Sequence, residues 1–161
     1  TLTMVDIGVY PNQEGSEKIL DFMSSAEKGF SSLEEAAHHI SKFLPHREKP
    51  KDLSGLHKNL RKREDNRFYW HWDPKFIKDR QRRNNTDYFR PLEVAAKNVE
   101  KPTLLIRGAL SDVLTEKDKN FFLNIVKHAE FEEIKDAAHM VAGDKNDVFQ
   151  ATIYNFLQKH N

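Results

Sequence analysis

The sequence predicts an α/β protein built on a short parallel sheet. Two apolar runs, at residues 2–7 and 103–106, have the length and composition of buried strands, and residues 129–134 form a plausible third strand. Segments with the helical period separate these runs and are long enough to cross from one parallel strand to the next. Short buried strands that alternate with helices favour a parallel sheet with helices packed against it.

The first strand is predicted over Leu2–Ile7 and is closed by Gly8 and Pro11. From about residue 16 to residue 90 the chain is polar and mostly helical in pattern. Its first helix contains "SEKILDFMSS", in which four apolar residues form one patch. This long region therefore interrupts the sheet with a helical insertion.

The clearest helix of the insertion is "SSLEEAAHHISKFLP". Ser32 and Glu35 have the spacing of a capping box, in which each side chain satisfies a free N–H at the start of the helix. Pro45 is expected to end it. The apolar residues at helical spacing are Leu33, Ala36, Ala37, Ile40, Phe43 and Leu44.

Three more helices are predicted before the second strand. Residues 52–65 form one, and residues 73–85 form the next, with Asp73 as N-cap and Pro74 at the first helical position. The third is centred on "PLEVAAKNV", residues 91–99.

The remainder of the chain alternates regularly. Pro102 begins a strand that stops at Gly108, and a loop with Asp112 follows. Thr115 and Asp118 resemble a capping box for the next helix. The strand "AEFEEI" and the loop "DAAHMVAGD" come next, and a last helix carries an apolar stripe of Phe149, Ile153, Phe156 and Leu157.

Composition excludes several classes of function. The 26 basic residues nearly balance the 25 acidic ones, so overall charge favours neither a nucleic-acid nor an acidic partner. Cysteine is absent, which excludes disulfides and thiolate chemistry. No stretch approaches the roughly 20 apolar residues of a membrane span, and no basic and apolar leader opens the sequence. We expect a soluble cytoplasmic protein that binds neither nucleic acid nor membrane.

Asp112 and His139 are the strongest candidates for chemistry. Each follows a predicted strand of one parallel sheet, so both loops are expected at the edge where open α/β sheets bind ligands. A carboxylate there can fix the tautomer of an imidazole and stabilise its cation. The alternative is structural, with Asp112 capping a turn and His139 packed in its loop.

The order of these elements resembles the C-terminal half of an α/β hydrolase. "TLTMVDIG" is similar to the strand after the nucleophile helix, "PTLLIRGALSDV" to the acid loop, and "AEFEEIKDAAHMVAGD" to the histidine loop. Esterases, epoxide hydrolases and haloperoxidases share that scaffold. The resemblance implies a partial hydrolase core over residues 1–9 and 91–161, and an all-helical cap over residues 10–90.

The resemblance also assigns residues. It implies Asp112 as the triad acid and His139 as the triad histidine, with no cofactor and a small-molecule substrate. Asp6, at the end of the first strand, is a second candidate acid, because some members of the family place theirs there. No G-x-S-x-G or G-x-D-x-G occurs, so the nucleophile is expected upstream of Thr1. The chain alone is therefore expected to be an inactive fragment, and its first strand is expected to promote self-association.

The segment "RFYWHWDPKF" is the other unusual stretch, with five aromatic residues between Phe68 and Phe76. Trp70, His71 and Trp72 are candidate substrate-binding residues, because aromatic rings line pockets and indole N–H groups orient ligands. The alternative is that these rings pack the cap. Basic residues surround the segment, so a non-catalytic binding module that uses this surface is the second hypothesis for function. No histidine in the chain has the spacing of a metal site.

Overall fold

The computed structural model describes residues 1–73, 75–78 and 86–161. The chain divides into two compact units. One unit, here called the sheet unit, comprises Thr1–Glu17 and Arg82–Asn161, and the other, the insertion unit, comprises Lys18–Gln81.

Helices separate the strands β1, β4 and β5 of the sheet unit along the chain, as in an α/β protein. The strands are β1 (Leu2–Val5), β2 (Leu60–Lys62), β3 (Phe68–Trp70), β4 (Thr103–Gly108) and β5 (Glu130–Ile134). The helices are α1 (Gln13–Ser24), α2 (Leu33–Phe43), α3 (Lys75–Lys78), α4 (Thr86–Lys97), α5 (Glu116–Ile125), α6 (Val141–Asp144) and α7 (Asn146–Lys159), with a 3-10 helix at Ser54–Lys58.

The sheet unit contains three parallel strands in the order β1-β4-β5. The predicted α/β class with a short parallel sheet and flanking helices is confirmed. Residue Val5 at the end of β1 pairs with Ile106, and Gly108 at the end of β4 pairs with Ile134. The carboxyl ends of all three strands therefore meet at one edge of the sheet.

The central strand β4 is buried along its whole length because helices cover both of its faces. Leu104 and Ile106 pack on one face with a cluster that includes Phe156 of α7. Leu105 packs on the other face with a cluster that includes Phe122 of α5. This alternation is the period-2 pattern of a strand, and burial of both faces explains why residues 104–106 are all apolar.

The insertion unit is not all-helical, which corrects the prediction for residues 52–65. A 3-10 helix occupies Ser54–Lys58, and β2 and β3 then form an antiparallel hairpin in which Leu60 pairs with Trp70. Asn66 in the turn has a φ of 63°, a left-handed conformation that asparagine tolerates. The aromatic residues of β3 favour the half-buried surface of a strand. The polar composition of β2 is typical of an exposed helix, which is why the sequence predicted a helix there.

The predicted caps of α5 and α3 are formed in the described residues, and the predicted capping box of α2 is formed only in part. Thr115 and Asp118 make a complete capping box at the start of α5. Ser32 accepts from the backbone N–H of Glu35, but the Glu35 carboxylate accepts from Ser31 instead of closing the box on Ser32. The Asp73 carboxylate accepts from the N–H of Lys75 at α3.

Several boundaries differ from those predicted. β1 ends at Val5 because the next residue leaves the extended conformation, α1 begins at Gln13, and the last loop contains the short helix α6. Pro74 and most of the helix predicted over residues 73–85 lie outside the described residues. Within the described ranges, each helix falls short of the length and apolar character that crossing a membrane demands.

Candidate active site

The carboxylate at the end of β1 is the centre of the site. Asp6 has a φ of 49°, and its backbone N–H donates to the carbonyl of Ile106 at 2.7 Å. Because β1 pairs in register with β4, the residue after Val5 lies directly against the end of β4. The Asp6 side chain is fully buried there. A non-glycine residue in a left-handed conformation is uncommon, and such residues are enriched at functional sites.

Three donors converge on the Asp6 carboxylate. Oδ1 accepts from the backbone N–H of Gly108 at 3.0 Å, and Oδ2 accepts from the hydroxyl of Ser111 at 2.5 Å. The third donor is Nδ1 of His139, which lies 2.9 Å from Oδ2. A buried carboxylate is stable only when it is paired and hydrogen-bonded, and Asp6 meets both conditions.

His139 presents its other nitrogen for chemistry. The residue lies between β5 and α6, and 38% of its side chain is exposed. Among the described residues, hydrogen bonding to its ring is confined to Nδ1. Because the carboxylate of Asp6 can only accept there, Nδ1 carries the proton, and Nε2 is left with a lone pair.

Gly108 allows the histidine loop to reach Asp6. A Cβ at this position would lie 2.3 Å from the carbonyl oxygen of Ala138 and 2.6 Å from that of Ala137. The loop backbone therefore crosses the end of β4 where any side chain would block it. The N–H of Leu110 donates to the Ala137 carbonyl at 2.9 Å, and the Asp144 carboxylate accepts from the N–H of Ala138 at 2.8 Å.

This arrangement can support proton transfer. An imidazole whose Nδ1–H is held by a buried carboxylate has a fixed tautomer, and the carboxylate stabilises the cation formed when Nε2 takes a proton. Ser111 is near but cannot be the nucleophile of this pair, because its hydroxyl donates to the acid and not to the histidine. The described residues thus bring a buried carboxylate, that of Asp6, into contact with a partly exposed imidazole, that of His139.

The structure places Asp6, not Asp112, against His139. The sequence prediction of an Asp112–His139 contact is corrected by this geometry, which favours the alternative acid. The physical reason is the turn after β4: Ser111 is buried and directed at Asp6, whereas the next side chain, that of Asp112, is exposed. The backbone carbonyl of Asp112 instead lies beside Gly15 of α1, 2.3 Å from where a Cβ would stand.

Trp70 and Trp72 stack on each other in the insertion unit, with ring centroids 4.5 Å apart. Trp70 also contacts the rings of Phe22 and Phe30 at 5.6 and 5.4 Å. Its indole Nε1 is buried and has no hydrogen-bond partner in the described part of the chain. His71 is exposed, so the structure separates it from the packed tryptophans.

Two arginines of the insertion unit contact other groups of the same unit. The guanidinium of Arg63 lies 4.1 Å from the ring centroid of Tyr69, and that of Arg67 donates to the carbonyls of Lys28 and Gly29 at 2.7 Å. The structure describes neither the side chain of Lys78 nor residues Arg80, Arg82 and Arg83.

No group of three or more histidine, aspartate or glutamate side chains is placed to hold a metal ion within residues 1–73, 75–78 and 86–161. Tyr10, Arg90, Glu93 and Val94 line a cavity of about 570 Å³ elsewhere in the sheet unit. The Tyr10 hydroxyl donates to Glu93 at 2.5 Å, and this hydrogen bond is the main reason that the pKa of Tyr10 is raised.

Solved structures place this arrangement in a known fold. Crystal structures of E-2-(acetamidomethylene)succinate hydrolase and of an esterase from Mycobacterium tuberculosis match with TM-scores of 0.78 and 0.74, at 14% and 20% identity. An α/β hydrolase from Novosphingobium aromaticivorans matches with a TM-score of 0.68 at 17% identity. The chain has the α/β-hydrolase fold. At these identities the likeness is one of fold alone.

The α/β-hydrolase match includes nearly all of this chain but only part of each solved structure. It covers 97%, 98% and 97% of the chain, and 56%, 53% and 55% of the three structures in the same order. The chain thus spans about half the length of these proteins. No protein-family model and no curated protein matches the sequence.

Sequence reasoning missed two members of the site. Neither Gly108 nor Ser111 was predicted to support the acid, although both belong to the segment that carries the family resemblance. One signal could have identified them: if Asp6 is the acid, then the end of the strand paired with β1 must supply its hydrogen-bond donors. That strand ends in Gly108, and Ser111 follows three residues later.

Proposed function

We propose that this chain is the acid-bearing and histidine-bearing portion of an α/β hydrolase that cleaves esters or related bonds. The observation that carries the proposal is the hydrogen bond between His139 Nδ1 and the fully buried carboxylate of Asp6. The nucleophile, a serine or an aspartate, belongs to a segment that precedes Thr1. This arrangement corresponds to the C-terminal half of the fold.

The chemistry follows from the hydrogen bond between Asp6 and His139. With a serine nucleophile, His139 Nε2 takes the hydroxyl proton as the oxygen attacks the substrate carbonyl, and then returns that proton to the leaving group. With an aspartate nucleophile, the same nitrogen takes a proton from the water that hydrolyses the covalent intermediate. Asp6 stabilises the imidazolium in both cases.

The test uses the longest natural reading frame that contains this segment. The expressed protein is assayed with p-nitrophenyl acetate and butyrate. His139→Gln is expected to lower kcat/KM by about 10³-fold or more, because removal of a triad member abolishes most of the rate enhancement. A G-x-S-x-G or G-x-D-x-G sequence upstream of Thr1 identifies the nucleophile.

His128→Gln is the matched control. His128 is also a histidine of the sheet unit, but its ring bonds the carbonyl of Lys101 at 2.9 Å, far in sequence from the acid. Its substitution is expected to leave kcat/KM within about twofold of wild type, as for a surface change. Equal activity of the wild type and His139→Gln would refute the proposed function. The isolated 161-residue chain is expected to be inactive toward both esters.

The substrate contacts of Trp70, His71 and Trp72 are part of this proposal. The buried indole Nε1 of Trp70, which no described residue hydrogen-bonds, supports it, because a buried donor needs an acceptor and a ligand could supply one. In the longer protein, His71→Ala and Trp72→Ala are expected to raise KM several-fold with kcat retained. Unchanged KM in both variants would assign the aromatic cluster to packing alone.

The unpaired side of β1 is proposed to associate with another strand. In the described sheet, β1 pairs only with β4, and its four residues are half-buried, whereas β4 is buried throughout. An edge strand of this kind offers free N–H and C=O groups to a second chain. Sedimentation of the isolated chain is expected to show concentration-dependent self-association, and a monomer at all concentrations would contradict this.

A further inference from the structure

The Ser111 hydroxyl has a hydrogen-bonding arrangement that fixes the direction of its proton. Ser111 is buried, and its Oγ accepts from the backbone N–H of Val113 at 3.1 Å and from that of Leu114 at 3.5 Å. A hydroxyl has two acceptor positions and one donor. Because N–H groups occupy the acceptor side, the hydroxyl proton is left to point at Asp6, whose Oδ2 lies 2.5 Å away.

The acceptor of this proton is the oxygen that also holds the histidine. Asp6 Oδ2 accepts from Ser111 and from His139, while Oδ1 accepts from the N–H of Gly108. Donors on both oxygens fix the rotation of the carboxylate about its Cβ–Cγ bond. Without the hydroxyl, the carboxylate keeps one backbone donor and is free to turn Oδ2 away from the imidazole.

We infer that Ser111 is a positioning residue, which acts through Asp6 to hold the His139 imidazole in the tautomer with a free Nε2. This inference rests on the proposed function for its catalytic consequence, but its structural part concerns only the three side chains. The Ser111 hydroxyl bonds Asp6 and not Nε2 of His139, the nitrogen that takes the proton. Its burial and its two N–H donors make it part of the acid's support and not a second nucleophile.

The test is nuclear magnetic resonance of the 161-residue chain labelled with ¹⁵N-histidine. Long-range ¹H–¹⁵N spectra distinguish the two neutral tautomers of an imidazole, and His139→Gln assigns the signal. In the wild type, His139 is expected to be almost entirely protonated at Nδ1. Ser111→Ala is expected to shift His139 toward a mixture of tautomers, and Ser111→Thr, which keeps the hydroxyl, is expected to restore the wild-type signal.

A second serine–histidine contact provides the matched control. Ser25 Oγ lies 2.9 Å from Nε2 of His39 in the insertion unit. Ser25→Ala is expected to change the His39 signal and to leave that of His139 as in the wild type. Asp6→Asn is the positive control, because it replaces the oxygen that His139 needs and is expected to alter the tautomer more than Ser111→Ala does.

One result overturns the inference: His139 keeps its wild-type tautomer in Ser111→Ala while Asp6→Asn changes it. If Ser111→Ala does not fold, Ser111→Cys decides the question, because a thiol is a weak donor of nearly the same shape. A wild-type tautomer in folded Ser111→Cys would show that the hydroxyl proton is not required, and a mixture would support the inference.

The same substitution in the longer protein separates this inference from the proposed function. Ser111→Ala is expected to lower kcat by about 10- to 100-fold with KM within about twofold, which is the cost of a slightly misplaced catalytic group. If the tautomer responds to Ser111 but activity does not depend on His139, the proposed function fails and the positioning role stands. If activity depends on His139 but the His139 tautomer does not change in Ser111→Ala, only the positioning role fails.

Discussion

The loop after β1 and the loop after β4 each carry one carboxylate, and the two carboxylates differ in burial. Asp6 is fully buried, has a left-handed backbone and accepts from three donors. Asp112, which directly follows the buried Ser111, is exposed. The end of β4 and the loop after it still contribute to the site, because the N–H of Gly108 and the hydroxyl of Ser111 donate to the carboxylate of Asp6.

This difference shows what makes a carboxylate a suitable partner for a histidine. The carboxylate must be buried, so that water does not compete for its hydrogen bonds. Donors other than the histidine must also hold its oxygens in place. Position after a strand is necessary for this but is not sufficient. A strand end supplies either the acid or the donors that hold it, and in this sheet β1 supplies the acid and β4 the donors.

The largest expected effect compares the two carboxylates in catalysis. In the longer reading frame, Asp6→Asn is expected to lower kcat by about 10³- to 10⁴-fold, since an amide there stabilises neither the tautomer nor the imidazolium. Asp112→Asn is expected to change kcat less than about threefold, because an exposed surface substitution seldom alters a site it does not touch. Steady-state kinetics with p-nitrophenyl esters measure both. A large loss in Asp112→Asn with none in Asp6→Asn would reverse the comparison and restore Asp112 as the acid.

The second comparison is the stability of the isolated chain. Asp6→Ala is expected to lower the free energy of unfolding by about 3–5 kcal/mol, because it breaks a buried pair and leaves the Ser111 hydroxyl and the Gly108 N–H without an acceptor. Asp112→Ala is expected to cost less than about 1 kcal/mol. Urea denaturation followed by circular dichroism gives both values. Similar losses in the two variants would show that burial does not separate these carboxylates.

Local patterns predicted much of the fold. Three features depend on residues within a few positions of one another, so the sequence displays them directly. They are the apolar centre of β4, the capping box of Thr115 and Asp118, and the N-cap at Ser32. The hairpin of β2 and β3 was missed because its polar strand has no apolar alternation, and its pairing depends on a turn that an Asn in a left-handed conformation makes.

The choice between Asp6 and Asp112 as the partner of His139 depended on distant residues. The contacts that select Asp6 join it to Gly108, 102 positions away, and to His139, 133 positions away. No local pattern contains that information. The sequence could only place both aspartates at strand ends, and the choice between them required knowing which strand end the histidine loop crosses.

Two glycines test the difference between Asp6 and Asp112, because the histidine loop packs against Gly108 and the Asp112 backbone packs against Gly15. Gly108→Ala would put a Cβ against the carbonyls of Ala137 and Ala138, and is expected to lower the free energy of unfolding by about 1–3 kcal/mol and to disturb the His139 tautomer. Gly15→Ala would meet the carbonyl of Asp112, but helix propensity returns up to about 1 kcal/mol in α1. Its cost is expected to be smaller, and the His139 signal is expected to stay as in the wild type. A His139 change in Gly15→Ala would show that the Asp112 loop also controls the site.

The smallest effect concerns an exposed carboxylate in the segment after β4. The Lys119 ammonium, hydrogen-bonded to Glu116 at 2.5 Å, lowers the pKa of that carboxyl, and the Arg107 guanidinium contributes in the same direction. Because the folded pKa lies below the unfolded one, this contribution to stability is present above the unfolded pKa, near 4.5, and is lost as the pH falls through the folded pKa. Acidification below that point is therefore expected to lower the melting temperature of the wild type more than that of Glu116→Gln. Glu132→Gln, a change at an exposed glutamate of β5, is the control and is expected to show the same acid sensitivity as the wild type. Identical acid sensitivity in all three proteins would show that the contacts of Glu116 with Lys119 and Arg107 do not contribute to stability.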